Sequence, residues 1–202
     1  MDYPFWINDF DRVRDHKQNF PLASKIFEHP VSFWYGERNG KEMEKIDYSL
    51  QRLLRRTAPQ LPVLVVYNMP NRDIGQYSKG GAKSRDSYLS FIKSFADGIG
   101  SNKPILIYEP DSLTHATELS AEEQDDRLSL MKEALQTLTD NCGALIYIDI
   151  GHSNWLSSEE ASNTQSPFSE RRRQDIAHGM RMGLSGASRW AGRPEAHVKR
   201  FP

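Results

Sequence analysis

The sequence predicts an α/β fold built on parallel strands, and two observations point to it. Short apolar runs rich in β-branched and aromatic residues alternate with longer segments in which apolar residues recur at helical spacing. The residues that follow the apolar runs are also evenly spaced, at Gly36, Asp73, Asp111 and Asp149. This alternation is typical of strands joined by right-handed crossover helices. We therefore expect the four strands to end at the same edge of one sheet.

Each strand and helix is predicted from its own pattern. Four short, continuous apolar segments predict buried strands: residues 31–35, 62–69, 104–108 and 144–150. Three amphipathic segments between them predict helices: residues 41–56, 84–99 and 120–140. The last helix is expected to begin with a capping box, in which Ser120 and Glu123 satisfy each other's backbone amides.

Composition and charge exclude several classes of function. The net charge of the 202 residues is −1, which gives no reason to expect nucleic acid or a membrane as partner. No run approaches the roughly 20 apolar residues that span a bilayer, and the first residues lack the pattern of a signal peptide. The single cysteine, Cys142, excludes an intrachain disulfide. The sequence predicts neither a cofactor nor a metal site.

Three aspartates on the predicted rim allow three interpretations. Paired carboxylates can cleave a glycosidic bond, one giving a proton to the leaving oxygen while the other stabilises charge or activates water. Aspartate oxygens can also hold magnesium for phosphoryl chemistry. An aspartate after a strand is also often only a helix cap or a turn residue.

The neighbouring residues favour the glycosidic interpretation. The stretch Ser78-Lys79-Gly80-Gly81 lacks the spacing of a phosphate-binding loop. Aromatic residues accompany the rim instead, namely Trp34, Tyr67 and Trp155. Flat aromatic rings can cover the C–H faces of a sugar while polar groups bind its hydroxyls, as in an oriented small-ligand site.

Four motifs, in order, resemble those of glycoside hydrolase family 6, which contains cellobiohydrolases and endo-β-1,4-glucanases. They are Val65-Val66-Tyr67-Asn68-Met69-Pro70-Asn71-Arg72-Asp73, Gly80-Gly81-Ala82, Glu109-Pro110-Asp111-Ser112-Leu113 and Tyr147-Ile148-Asp149-Ile150-Gly151-His152-Ser153-Asn154-Trp155. The resemblance runs from Pro4 to Leu156 and corresponds to the N-terminal half of the family's catalytic domain. It implies a distorted barrel of parallel strands.

The resemblance also implies a reaction, the hydrolysis of β-1,4-glucosidic bonds with inversion at the anomeric carbon. Asp111 would be the general acid. Asp73 would keep Asp111 protonated and support positive charge on the sugar ring. Tyr67 would lie against the sugar in the cleaved subsite, and Ser78 would help to hold the attacking water.

The remaining implied site residues bind the polymer. Trp34 and Trp155 would be stacking platforms on either side of the scissile bond, and Asp149 and His152 would supply polar contacts. The implied partner is a chain of cellulose or a cello-oligosaccharide. Because such enzymes act on an insoluble polymer, the resemblance implies an extracellular location.

The end of the chain departs from this resemblance. Residues 1–170 carry 18 basic and 25 acidic side chains, whereas residues 171–202 carry 8 basic and 2 acidic, and no apolar periodicity continues there. We therefore predict a partial catalytic domain over residues 1–162 and a basic, disordered tail outside the family over residues 163–202. With about four strands the barrel would be incomplete. The alternative is therefore an inactive half-barrel with at most residual sugar binding.

Overall fold

The computed structural model describes residues 4–10, 18–20, 22, 24–37, 45–72, 80–152, 155, 159–160 and 180–182. It contains one sheet whose strands are all parallel and follow chain order: β1 (Ser32–Tyr35), β2 (Val63–Val66), β3 (Ile105–Tyr108), β4 (Leu145–Ile148) and β5 (Met180–Met182). The helices are α1 (Ser24–Phe27), α2 (Ile46–Thr57), α3 (Arg85–Ile99), α4 (Ser112–His115) and α5 (Ala121–Asn141), with a 3₁₀ turn at Ala116–Glu118. The predicted α/β class with parallel strands is confirmed.

The strand register explains which residues share the carboxyl rim. It aligns the last residues of four strands, which are Tyr35, Val66, Tyr108 and Ile148. Asp149 follows β4 directly, whereas Asp111 lies three residues beyond β3. The strand ends are therefore not evenly spaced along the chain. The even spacing seen in the sequence arises because turns of different length follow the strands.

The helices begin where the sequence signals their start. The Ser120 hydroxyl accepts the Glu123 amide (3.4 Å), and the Glu123 carboxylate accepts the Ser120 amide (3.1 Å). This is the predicted capping box of α5. A second capping box, between Ser84 and Ser87, begins α3. Helix α2 is described from Ile46, so the first residues of the predicted helix 41–56 lie outside the described ranges.

One face of the sheet is covered by helices. Alternate strand residues, including Leu64, Leu106 and Ile146, are buried in the same core as Phe95 and Met131 of the helices. On the opposite face, the residues between them in β3 and β4 are only half-buried. In the part of the chain that the structure describes, no helix is both long and apolar enough to cross a membrane.

The described sheet has one more strand than predicted. Strand β5 pairs with β4 in parallel register, from Ile146 against Met180 to Ile148 against Met182. Three residues with an arginine at the centre carry no apolar run, so the pattern that identified the other strands was absent. β5 lies within the segment 163–202, where a disordered tail is predicted. Since the rest of that segment is outside the described ranges, the boundary at residue 162 remains a prediction.

Candidate active site

The turn after β3 holds Asp111 in an unusual backbone conformation. The backbones of Glu109 (φ 46°) and Asp111 (φ 65°) both lie in the left-handed region, which residues other than glycine rarely occupy. Each such residue costs about 1–3 kcal/mol and persists only where its surroundings fix it. The turn is fixed by hydrogen bonds from Ser112 N to Glu109 O (3.1 Å) and from His115 N to Asp111 O (2.9 Å). Asp111 thus immediately precedes α4, with its side chain partly exposed on the rim.

A carboxylate from the neighbouring strand holds the same turn. Asp149 Oδ1 accepts hydrogen bonds from the backbone amides of Asp111 (3.0 Å) and Gly151 (2.7 Å). The structure therefore brings Asp111 and Asp149 together. The family resemblance implies that Asp149 is a polar contact for sugar. In the structure its Oδ1 already accepts hydrogen bonds from two backbone amides. Its placement adds a structural task, which is to fix the position of Asp111.

Glu109 points the opposite way, into the protein. Its side chain is fully buried, and its carboxylate accepts hydrogen bonds from Asn68 N (3.0 Å to each oxygen), Met69 N (3.0 Å) and the Tyr88 hydroxyl (2.9 Å). Burial raises the pKa of this carboxyl from its ordinary 4.5 to about 7, against the lowering effect of those hydrogen bonds and of the Arg72 charge.

Glu109 should make the stability of the protein depend on pH. Because its pKa is higher in the folded state, its contribution is fully present below the ordinary value of 4.5 and is lost as pH rises through about 7. Over that window the free energy of unfolding should fall by about 3 kcal/mol, at about 1.4 kcal/mol per pKa unit. Urea unfolding at a series of pH values measures this. The Glu109→Gln variant should lose this contribution, and an equal decline in both proteins would contradict the assignment.

The segment that leads from β2 toward Asp73 is held by two buried arginines. The Arg72 guanidinium lies 4.4 Å from the centre of the Tyr67 ring, donates to Tyr67 O (3.2 Å) and pairs with Glu37 (2.9 Å). Arg127 of α5 donates to the carbonyl groups of Pro70 (3.3 Å) and Asn71 (3.0 Å). The chain is thereby fixed up to Arg72. Asp73 and Ser78 themselves lie outside the described residues.

Exposed aromatic rings lie on both sides of Asp111 along the rim. Trp34, in β1, is 53% exposed, and its ring meets that of Tyr67 edge-on at 5.4 Å. Trp155, beyond β4, is also 53% exposed and lies 6.1 Å from the rings of His115 and His152. Trp34 belongs to β1, Asp111 follows β3 and Trp155 follows β4, so Asp111 lies between the two tryptophans in the order of the strands.

Gly151 allows Trp155 to take this position. Its φ of 76° is one that residues with a side chain rarely adopt, and a Cβ atom there would overlap the Thr114 side chain and the Trp155 ring. Thr114 also donates to Ile150 O (2.7 Å), which joins α4 to the end of β4. The turn after β4 is thus packed directly against the helix that follows Asp111.

The comparison with known families decides the affiliation of the chain. The sequence model of Glycosyl hydrolases family 6 matches residues 7–199. The chain belongs to this family. The matched range includes strand β5 and most of the segment 163–202, which was predicted to lie outside the family.

Curated relatives of the chain are endoglucanases by name. The chain is 37% identical over 145 residues to endoglucanase A of Cellulomonas fimi, and 31% identical over 142 residues to endoglucanase 1 of Streptomyces sp. (strain KSM-9). Each match covers 70% of this chain, but only 30% and 39% of the respective relative. The chain therefore spans about a third of the length of these relatives.

Solved structures in family 6 share the fold. The endoglucanase Cel6 from Mycobacterium tuberculosis, in complex with methyl-cellobiosyl-4-deoxy-4-thio-β-D-cellobioside, aligns with a TM-score of 0.77 and 25% identity. The alignment covers 96% of this chain and 76% of that one. Cellobiohydrolase II from Humicola insolens aligns with a TM-score of 0.63 and 18% identity. This alignment covers 90% of the present chain and 58% of the cellobiohydrolase chain. The predicted class, a partial barrel of the family 6 type, is confirmed.

Sequence reasoning missed the buried groups beneath the family 6 site. Glu109 was visible as a carboxylate after an apolar strand, but no local pattern indicated that it turns inward toward Tyr88. Arg72 stood within a quoted motif but its buried contacts with Tyr67 and Glu37 were not predicted, and Arg127 carried no signal because its partners are backbone carbonyl groups distant in sequence. His115 beside Trp155 was equally hidden. Among the described residues, no group of three His, Cys, Asp or Glu side chains comes together as a metal site.

Proposed function

We propose that this chain hydrolyses β-1,4-glucosidic bonds of cellulose or a related β-glucan with inversion of configuration. The observation that carries the proposal is the placement of Asp111, on a turn fixed from both sides and between two exposed tryptophans on one rim. Membership of family 6 and the names of the relatives support it. An extracellular site of action belongs to the same proposal.

In the proposed reaction Asp111 gives its proton to the glycosidic oxygen as the bond from that oxygen to the anomeric carbon breaks. Water attacks the anomeric carbon from the opposite face and passes its proton to a base. Attack from that face inverts the configuration at the anomeric carbon. We assign to Asp73 the task of keeping Asp111 protonated and of supporting charge on the ring, since two nearby carboxylates cannot both ionise cheaply. Ser78 is assigned to the attacking water.

The aromatic side chains and His152 are assigned to substrate binding. Trp34 and Trp155 are each about half exposed, the Trp155 ring is stacked against His115, and the Tyr67 ring contacts both Trp34 and the Arg72 guanidinium. This arrangement fits a linear chain of sugar rings. Relatives have been crystallised with cello-oligosaccharides, among them the H. insolens cellobiohydrolase with glucose and cellotetraose.

Replacing Trp155 by Ala should weaken cello-oligosaccharide binding without unfolding the protein. The exposed ring loses contact with a sugar, which should raise the dissociation constant about tenfold or more, whereas little buried area is lost. Isothermal titration with cellohexaose, carried out in the Asp111→Asn background to prevent turnover, measures the affinity. Tyr48→Ala, at an aromatic residue of similar exposure on α2, is the matched control. Equal affinity of the Trp155→Ala variant and the parent protein would remove Trp155 from the site.

The proposed hydrolysis is tested by incubating the purified chain with cellohexaose and separating the products. Shorter cello-oligosaccharides are expected, and a β-1,3-glucan should remain intact. The second candidate, an inactive half-barrel with residual sugar binding, is favoured by one observation, which is that the chain spans about a third of its curated relatives. Intact cellohexaose together with measurable binding would establish this second candidate and overturn the first.

A further inference from the structure

We propose that Glu109 is a positioning residue for Asp111, acting through the reach of its side chain and not through its charge. The inference rests on the proposed function, because it concerns the placement of the proposed general acid. Glu109 is fully buried, so it does not touch substrate.

The contacts of Glu109 join the ends of two strands. Its amide donates to Val66 O (2.9 Å), the last residue of β2, while its carboxylate accepts the amides of Asn68 and Met69 just beyond that strand. Its carbonyl accepts the Ser112 amide at the start of α4. One residue therefore fixes the exit of β2, the exit of β3 and the first turn of the helix that follows Asp111.

The carboxyl group can make these contacts whether or not it is ionised. The hydroxyl oxygens of Tyr88 and Tyr108 lie 2.9 Å apart, and the Tyr108 hydroxyl lies 3.4 Å from Met131 O. When Glu109 is ionised, Tyr88 donates to it and Tyr108 donates to Tyr88. When Glu109 is protonated, it donates to Tyr88, Tyr88 donates to Tyr108 and Tyr108 donates to Met131 O. In both states the carboxyl group of Glu109 accepts hydrogen bonds from the Asn68 and Met69 amides.

Burial raises the pKa of both tyrosines well above the ordinary value, with the Glu109 charge as the next cause, so both remain hydroxyl groups. On ionisation the chain of hydrogen bonds therefore reverses direction. It keeps the Glu109–Tyr88 and Tyr88–Tyr108 bonds and gives up only the longest one, from Tyr108 to Met131 O. For this reason the geometry at Asp111 should depend on the length of the residue 109 side chain and only weakly on its charge.

Two substitutions distinguish the effect of the length of the residue 109 side chain from the effect of its charge. Glu109→Gln keeps the length, so its oxygen can accept the Asn68 and Met69 amides while its NH₂ group donates to Tyr88. Glu109→Asp keeps the charge but is one methylene shorter and cannot reach those amides. The matched control is Glu133→Gln on α5, which removes an exposed ion pair with Arg85 of α3.

The experiment measures kcat and KM on cellohexaose for these three variants and the parent protein. We expect kcat to fall about threefold in Glu109→Gln and about 50-fold in Glu109→Asp, because small misplacements of a catalytic group are costly. KM should stay within about twofold throughout, since substrate binding is not touched. A Glu109→Asp variant as active as Glu109→Gln, or more active, would overturn the proposal.

Hydrogen exchange keeps this test separate from the proposed function. The amides of residues 109 and 111–115 should exchange faster in Glu109→Asp than in Glu109→Gln, whereas those of α5 should not change. If the parent protein fails to cleave cellohexaose, the proposed function falls, while the exchange pattern still supports or overturns the role of Glu109. Equal exchange in the two Glu109 variants would overturn it.

Discussion

Replacing Asp111 by Asn is expected to lower kcat on cellohexaose by about 1,000-fold or more, since general acid catalysis contributes typically 10²–10⁴-fold. Affinity for the substrate should stay within about threefold, because an amide can keep most polar contacts but cannot donate the required proton. The substitution is well suited to the site. Asparagine tolerates the left-handed backbone, so a φ of 65° at this position should be preserved.

A matched control and a clear negative outcome accompany this result. Asp126→Asn changes an exposed carboxylate on α5 and should leave kcat and affinity as they are. Circular dichroism on both variants checks that the fold is retained. An Asp111→Asn variant that turns over cellohexaose as fast as the parent protein would show that another group supplies the proton.

The second large effect is expected at Asp149, where Ala should lower kcat about 100-fold, the size of loss that small misplacements of a catalytic group produce. Truncation leaves the amides of Asp111 and Gly151 without the single oxygen that both now use. The turn that carries Asp111 then loses one of the contacts that fix it, the one to the exit of β4. Steady-state kinetics on cellohexaose measures the loss.

Asp149→Asn separates the two tasks suggested for this residue. Its side-chain oxygen can still accept both amides, so most of the activity should return if Asp149 mainly holds the turn. If instead the carboxylate mainly binds sugar through its charge, the Asn and Ala variants should be impaired alike. That outcome would contradict the positional task that the structure indicates.

The parts of the fold that the sequence predicted are those determined by local pattern. The apolar runs of β3 and β4 and the capping box at Ser120 depend on residues close together in the chain, and each was found where predicted. Strand β5 is short and has no such run. Its pairing with β4 depends on contacts between distant segments, which local periodicity cannot reveal.

The site was predictable in outline for a related reason. Parallel strands place their carboxyl ends together, so a common rim for Asp111 and Asp149 follows from topology. The direction in which each carboxylate points does not. A residue that precedes proline ordinarily favours an extended backbone, whereas Glu109 has a φ of 46°, and this turn sends the two carboxylates of one short motif to opposite sides.

The most direct test of the account is the configuration of the first product. Proton NMR recorded during the first minutes of cellohexaose cleavage distinguishes the α- and β-anomers of the newly formed reducing end before they interconvert. Inverting hydrolysis of a β-glucoside with Asp111 as general acid predicts that the α-anomer appears first. Initial release of the β-anomer, or no release of product, would contradict it.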